Sequence, residues 1–548
     1  MEVAEIMKLV ITNAKCYTMD KDNSIVQAIV VEDGIIKAVG SNEEIFYSTR
    51  EYDKLIDLKG KTVLPGFNDS HMHLLSYGYS KSMSNLDDCK SIDDIIKEVK
   101  NHIINNKIQE NDWVEGRGWN ETNYPENRLP NRHDLDRISE NHMIVLGRSC
   151  SFICVVNTKT LKELNIFDNP PIPKVGTVEV DENGVPTGVF IGEATQEIFS
   201  RIPKLGVDKI KKAIVSACDD YLTAGITSVE TDDFELTRAG SFQDILQAYF
   251  ELDRDKELPL RINKMLYLPN EELLDEFIKT GLKTGDGSSF FKIGNFKLVT
   301  DGSLGVRRSA LFEEYADEPG NMGENIYSQE ELNSLIKHAY DNGLSVVCDG
   351  MGDRGIYMAL KAYEPIVKNN PDKDLRFCID HSQITTEGII EEYKRLNVIG
   401  GLELVFVASD IEIADKRVGK HRASLSYNWK RFFDNDVIVA AGSDSPVEDF
   451  SPIIGIYAAV NRIGWDGTPK VGWYPEQCLT VEQAVRAFTM GSAYATYEEK
   501  VKGSIEVGKY ADMVVLSEDI FEINKLDIKN VIVEKTILNG EVAFDINN

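Results

Sequence analysis

The feature that most restricts the fold of this chain is a serial alternation of helix-patterned and strand-patterned segments from about residue 208 onward. A helical stretch ends at Tyr221-Leu222, and Ala224-Gly225 turns the chain into the extended run Ile226-Thr227-Ser228-Val229. Residues 290–299 form another extended run, which carries Lys297. Ser328 and Glu331 have capping-box spacing, and Asn342-Gly343 closes that helix ahead of Leu344-Ser345-Val346-Val347-Cys348-Asp349. Arg376-Phe377-Cys378-Ile379-Asp380-His381 ends one further strand, and residues 437–441 run into Gly442-Ser443-Asp444. Parallel strands need a crossover between them, usually a helix. Repeated β-α units therefore favour an α/β fold with a TIM-like (β/α)8 barrel, with a doubly wound sheet as the second choice.

The two ends of the chain are patterned differently. Residues 8–60 read as short strands, two of them joined by the hairpin signal Asp33-Gly34, and residues 500–548 are again strand-rich, with Asn539-Gly540 as a turn. Strands so few and short need a partner sheet, so a composite β-sandwich from residues 1–62 and 500–548 is expected. The barrel then takes residues 63–84 and 206–499. Residues 85–205 are less regular, with a capped helix from Ser91 and a glycine- and tryptophan-bearing run near Trp119. They read as an inserted α+β subdomain covering the active site.

Composition narrows the function classes. The formal net charge of −30 over 548 residues argues against nucleic acid or an anionic membrane as partner. No apolar run of membrane-spanning length occurs, and residues 1–10 carry Glu2, Glu5 and Lys8 instead of a secretory core. The 8 cysteines form no framework, as in reduced cytosolic proteins. A cytoplasmic protein acting on a small molecule is expected, with oligomeric state open, a homodimer included.

In a (β/α)8 barrel the reactive side chains sit where strands meet their following loops. Such positions here hold His71 and His73, Lys297, Asp349, His381 and Asp444. His71 and His73, two apart on an extended run, point to the same side. Imidazoles and carboxylates together can hold one or two divalent cations, and a bound water would then be acidified. Asp444 is placed to accept its proton. Each residue also has a plainer role available: a snorkelling lysine for Lys297, a helix N-cap for Asp349, a core histidine for His381.

Taken in order, six segments resemble one family. They are Pro65-Gly66-Phe67-Asn68-Asp69-Ser70-His71-Met72-His73, Lys297-Leu298-Val299-Thr300-Asp301-Gly302-Ser303-Leu304-Gly305, Met351-Gly352-Asp353-Arg354, Asp380-His381-Ser382-Gln383, Gly442-Ser443-Asp444-Ser445-Pro446-Val447-Glu448 and the run from Gly503 to Asp512. The chain resembles the amidohydrolase superfamily, in its YtcJ-like branch that includes N-substituted formamide deformylases. The resemblance implies a metal-dependent hydrolase in which His71, His73, His381 and Asp444 are metal ligands. Lys297 stands where many relatives carry a carboxylated, metal-bridging lysine. Zinc is the first expectation for the metal, with manganese or iron as alternatives.

Two departures qualify this. The family's His-Ala-x-Gly-Asp reads Asp349-Gly350-Met351-Gly352-Asp353 here, so a carboxylate replaces an expected histidine ligand. A carboxylate is the harder donor and adds negative charge. Phe152 stands where relatives often have a histidine. Hydrolysis of a non-peptide C–N bond in an amide or N-acyl amine, by metal-bound hydroxide, is the leading expectation, with catalytic roles for Asp444 and Lys297. Trp119, Phe152, Arg307 and Arg308 are further candidates for substrate contact. The alternatives are a decarboxylase, isomerase or lyase reaction on the same fold, or a degenerate binding protein without turnover.

Overall fold

The computed structural model describes residues 8–149, 153–171 and 176–548. Two compact units divide the chain: residues 1–74, 215–235 and 246–548, and residues 75–214 with 236–245.

The first unit contains the barrel. Its eight strands are β1 Phe67–Met72, β2 Ile226–Thr231, β3 Arg261–Tyr267, β4 Phe291–Val299, β5 Val346–Gly350, β6 Cys378–His381, β7 Ile399–Glu403 and β8 Val439–Gly442. They pair in parallel and in chain order. Nearly every strand residue is buried, as expected when one face meets the barrel interior and the other a ring of helices. Backbone bonds bring the two ends together just past the strands: Asp444 N–H donates to the His71 carbonyl at 2.8 Å, and His73 N–H donates to the Ser445 carbonyl at 2.8 Å. This places the first and last motifs of the sequence side by side.

The same unit holds the sandwich. One sheet has the order Ile35–Gly40, Ala28–Glu32, Lys8–Thr12, Lys54–Asp57; the other runs Glu541–Asp545, Val533–Leu538, Met513–Leu516, Thr62–Pro65, Lys15–Tyr17, Ile25–Val26. Their inner faces share one core of Leu9, Ile11, Ile29, Val63, Met513, Val515 and Ile537. Both Asp33 and Gly34 have positive φ, so that hairpin closes through the tight turn its sequence calls for. Thr62–Pro65 pairs with Met513–Leu516 and feeds through Gly66 directly into β1. A Cβ at Gly66 would meet Thr227 Oγ1 at 2.2 Å, so only glycine lets β1 and β2 approach there.

The second unit extends beyond residues 85–205 on both sides. It has a six-stranded sheet and the helix Ile92–Asn105, which buries Ile92, Ile95, Ile96 and Val99. Trp119 belongs to this unit's own core with Leu135, Ile144 and Leu146. It is fully buried, and its indole N–H donates to the Leu146 carbonyl at 3.1 Å. The expectation that Trp119 lines a substrate pocket is therefore corrected: the ring serves packing.

Candidate metal centre

Seven of the eight barrel strands deliver an ionisable side chain to one buried cluster from their C-terminal ends or the residues just beyond. From β1, His71 and His73 both turn Nε2 toward Asp444 after β8, at 3.4 and 3.0 Å from its Oδ1. Their other nitrogens are tied back, His71 Nδ1 to Asp380 Oδ2 at 2.9 Å and His73 Nδ1 to the Asp232 carbonyl at 2.8 Å. A partner on Nδ1 fixes ring orientation and leaves Nε2 free to bind a cation. Lys297, from β4, sets Nζ 3.1 Å from Asp349 Oδ2 and 3.4 Å from Asp232 Oδ2. His381, from β6, lies between Asp349 (3.8 Å) and Glu403 at the end of β7 (3.1 Å).

Backbone strain marks the same place. His381 and Asp444 have φ of 69° and 59°, a left-handed conformation that costs a non-glycine residue on the order of 1 kcal/mol or more. That turn at the strand end points each side chain inward to the shared cluster.

Electrostatics show what the cluster is built to hold. Burial opposes charge on His71 and Lys297 repels it, yet Asp349, Asp380 and Asp444 keep its imidazole well above the usual range. Burial likewise disfavours charge on His381, but Glu403 and Asp349 raise it well above that range. Asp444 goes the other way: burial works against ionisation, and the adjoining imidazoles of His71 and His73 hold its carboxyl far below the usual carboxylate range. Acidic groups thus outnumber fixed cations, and the imidazoles take protons to compensate. A divalent cation supplies that charge in their place.

Unmatched atoms point the same way. His71 Nε2, His381 Nδ1, Lys297 Nζ, Asp232 Oδ2, Asp349 Oδ1 and both Glu403 oxygens are buried without an aligned hydrogen-bond partner. Such atoms are rare in folded proteins, and here they crowd one spot. His71, His73 and Asp444 have ligand atoms within 4.8 Å of one another, as do His71, His381 and Glu403. This mixed nitrogen and oxygen set fits a zinc, manganese or iron ion.

All six metal or catalytic positions expected from the sequence, His71, His73, Lys297, Asp349, His381 and Asp444, meet in this cluster. Arg307 and Arg308 do not join it: Arg307 forms a two-point ion pair with Asp317, and Arg308, largely exposed, faces Glu324 at 3.8 Å. Phe152 lies outside the described residues. Sequence reasoning missed Asp232, Asp380 and Glu403. Each sits at or directly after a strand end, in Thr231-Asp232-Asp233, Asp380-His381 and Leu402-Glu403, but isolated carboxylates carry no spacing signal. The Thr300-Asp301-Gly302 motif has a structural role. Asp301, which burial pushes up to about 7, accepts the N–H groups of Ala310, Met351 and Gly352 and so secures the loop after β5.

Comparison with known proteins agrees with this architecture. Residues 54–544 match the Amidohydrolase family. The chain belongs to that family. It is 30% identical over 541 residues to the putative amidohydrolase YtcJ of Bacillus subtilis, covering 98% of this chain and 100% of that one. The N-substituted formamide deformylase of Arthrobacter pascens is 25% identical, with 99% of each chain covered. An uncharacterised metal-dependent hydrolase from Pyrococcus horikoshii has a similar structure, with a TM-score of 0.77 at 27% identity over 94% of this chain and 99% of that one. This amidohydrolase-family chain is thus an enzyme of the hydrolase class, with a site for a divalent metal.

Proposed function

We propose that this amidohydrolase-family enzyme hydrolyses a non-peptide C–N bond, that of an amide or N-acyl amine of small size. The observation that carries the reading is the pair of overlapping ligand triads that share His71, His71 with His73 and Asp444 and His71 with His381 and Glu403, where His71 Nε2, His381 Nδ1 and both Glu403 oxygens are buried without aligned partners. The full-length similarity to an N-substituted formamide deformylase supports the acyl-amine class. A divalent cation held there supplies Lewis acidity toward a carbonyl oxygen and lowers the pKa of water. Asp444 is the proton carrier: it takes the proton from the attacking water and returns it to the departing amine. Asp380 and the Asp232 carbonyl hold the two imidazoles of β1 in a single orientation. Lys297 acts as an unmodified ammonium, since Asp349 and Asp232 already flank Nζ and carboxylation would set new anionic oxygens against them. Asp349 adds a hard oxygen donor, which brings manganese and iron into competition with zinc.

The test is a panel of N-formyl and N-acyl amines offered to protein loaded with Zn²⁺, Mn²⁺ or Fe²⁺, run in H₂¹⁸O. The expected result is release of the amine with one ¹⁸O in the acid product, at a rate that removing and restoring bicarbonate leaves unchanged. The replacement of a family histidine by Asp349 favours one competing reading, a decarboxylation, isomerisation or lyase step. Turnover without label in the product would establish that instead, and no turnover with any metal would remove both.

A further inference from the structure

Away from the metal centre, a charged side chain is buried with nothing of opposite charge beside it. Arg462 caps the helix Pro452–Asn461 and has no solvent exposure. Its Nε donates to the Trp473 carbonyl at 2.7 Å and Nη1 donates to the Tyr427 carbonyl at 2.6 Å. Nη2 is buried without any partner, and among the described residues no carboxylate lies within ion-pair distance of the guanidinium. The nearby acid Glu476 is exposed to solvent. Trp473 and Trp429 flank the group, their rings 4.9 and 5.8 Å from Cζ. Burial pulls the guanidinium down to about 10.

Two further donors are left over in the same segment. Trp429 Nε1 and Asn428 Nδ2 are both buried without partners, while Asn428 Oδ1 is already taken by the Thr385 hydroxyl at 2.7 Å. Gln477 Oε1, on the turn next to Trp473, is the one unmatched acceptor in this region among the described residues. Two carbonyls and a helix C-terminus offer only partial charges to Arg462, and an uncompensated buried charge is strongly unfavourable. One unmatched amide oxygen does not balance a cation and two further neutral donors, and the surplus of donors calls for a small anion.

We propose that Arg462, Trp429 and Asn428 form a buried binding site for a monovalent inorganic anion of the halide class. Its place gives it leverage. Tyr427 N–H donates to the Gln383 carbonyl at 2.8 Å, Thr385 bonds Asn428, and Ile384 pairs with Ser426. The segment that carries the anion donors therefore backs the loop leaving His381. The site is independent of the reaction proposed above.

Crystals of the full chain grown in sodium bromide test this by anomalous scattering. The expected result is a bromide peak within hydrogen-bond reach of Arg462 Nη2. Trp429→Phe, which keeps an aromatic ring of smaller size but removes the N–H, is expected to weaken the bromide-dependent rise in Tm, with apparent affinity falling about tenfold against gluconate of equal ionic strength. A water beside Nη2 with no anomalous signal overturns the proposal, as does a bromide-dependent Tm rise that is identical in wild type and Trp429→Phe.

Discussion

Asp444 is the residue on which the proposed chemistry turns. It lies beside the Nε2 atoms of both His71 and His73, is buried, and is held in its ionised form because those imidazoles stabilise its charge against the cost of burial. Replacing it by asparagine keeps the shape and removes both the charge and the proton-accepting oxygen. Asp444→Asn is expected to lower kcat by about 10³-fold with an unchanged circular dichroism spectrum, measured by steady-state kinetics on the best acyl-amine substrate. Asp349 is distinctive in another way. It stands where the family resemblance leads one to expect a histidine, and its carboxylate lies 3.1 Å from Lys297 Nζ.

Among the elements, the strand ends of the barrel gather the buried cluster, and the sandwich anchors the other end of one strand. Arg261, the first residue of β3, makes a two-point ion pair with Asp512 at 2.7 and 3.1 Å, both side chains being almost fully buried. The Tyr510 ring lies over the same guanidinium, 3.8 Å from Cζ. Asp512 also accepts the Asn539 N–H at 2.8 Å, so one carboxylate ties a barrel strand to two sandwich segments. Asp512→Ala leaves Arg261 charged and buried, which costs about 3 kcal/mol or more. The expected outcome is a clearly lower denaturation midpoint in urea, with Asp512→Glu recovering part of the loss.

For the whole molecule, cation binding and protonation are linked. Without metal, His71 and His381 hold their protons well above the ordinary imidazole range. Because these values are raised on folding, their contribution to stability is complete below the unfolded value of about 6.5 and is lost as pH rises through the folded values. A cation displaces those protons and makes that stabilisation independent of them. Two consequences follow for calorimetry and melting. Loading the apoprotein at pH 7 is expected to release about two protons per ion, seen as a binding enthalpy that changes with the ionisation enthalpy of the buffer. Chelation is expected to lower Tm, most at alkaline pH, with recovery on adding Zn²⁺ or Mn²⁺.

Local pattern was enough to determine the barrel, since each β-α unit repeats the same run of apolar strand, turn and amphipathic helix. It was also enough to single out the six residues that meet in the buried cluster, because an H-x-H on a strand and polar residues at strand ends are visible one segment at a time. The helper carboxylates Asp232, Asp380 and Glu403 were not visible in this way. Their roles come from pairing across strands distant in sequence: Asp380 acts through His71, 309 positions away. The same holds for Trp119, whose aromatic character suits a pocket wall or a core equally until packing decides. Sequence records which groups a chain carries, and strand order records which of them point to neighbouring ends. Only closure of the barrel, which brings Asp444 beside His71, decides which charges must share one buried space.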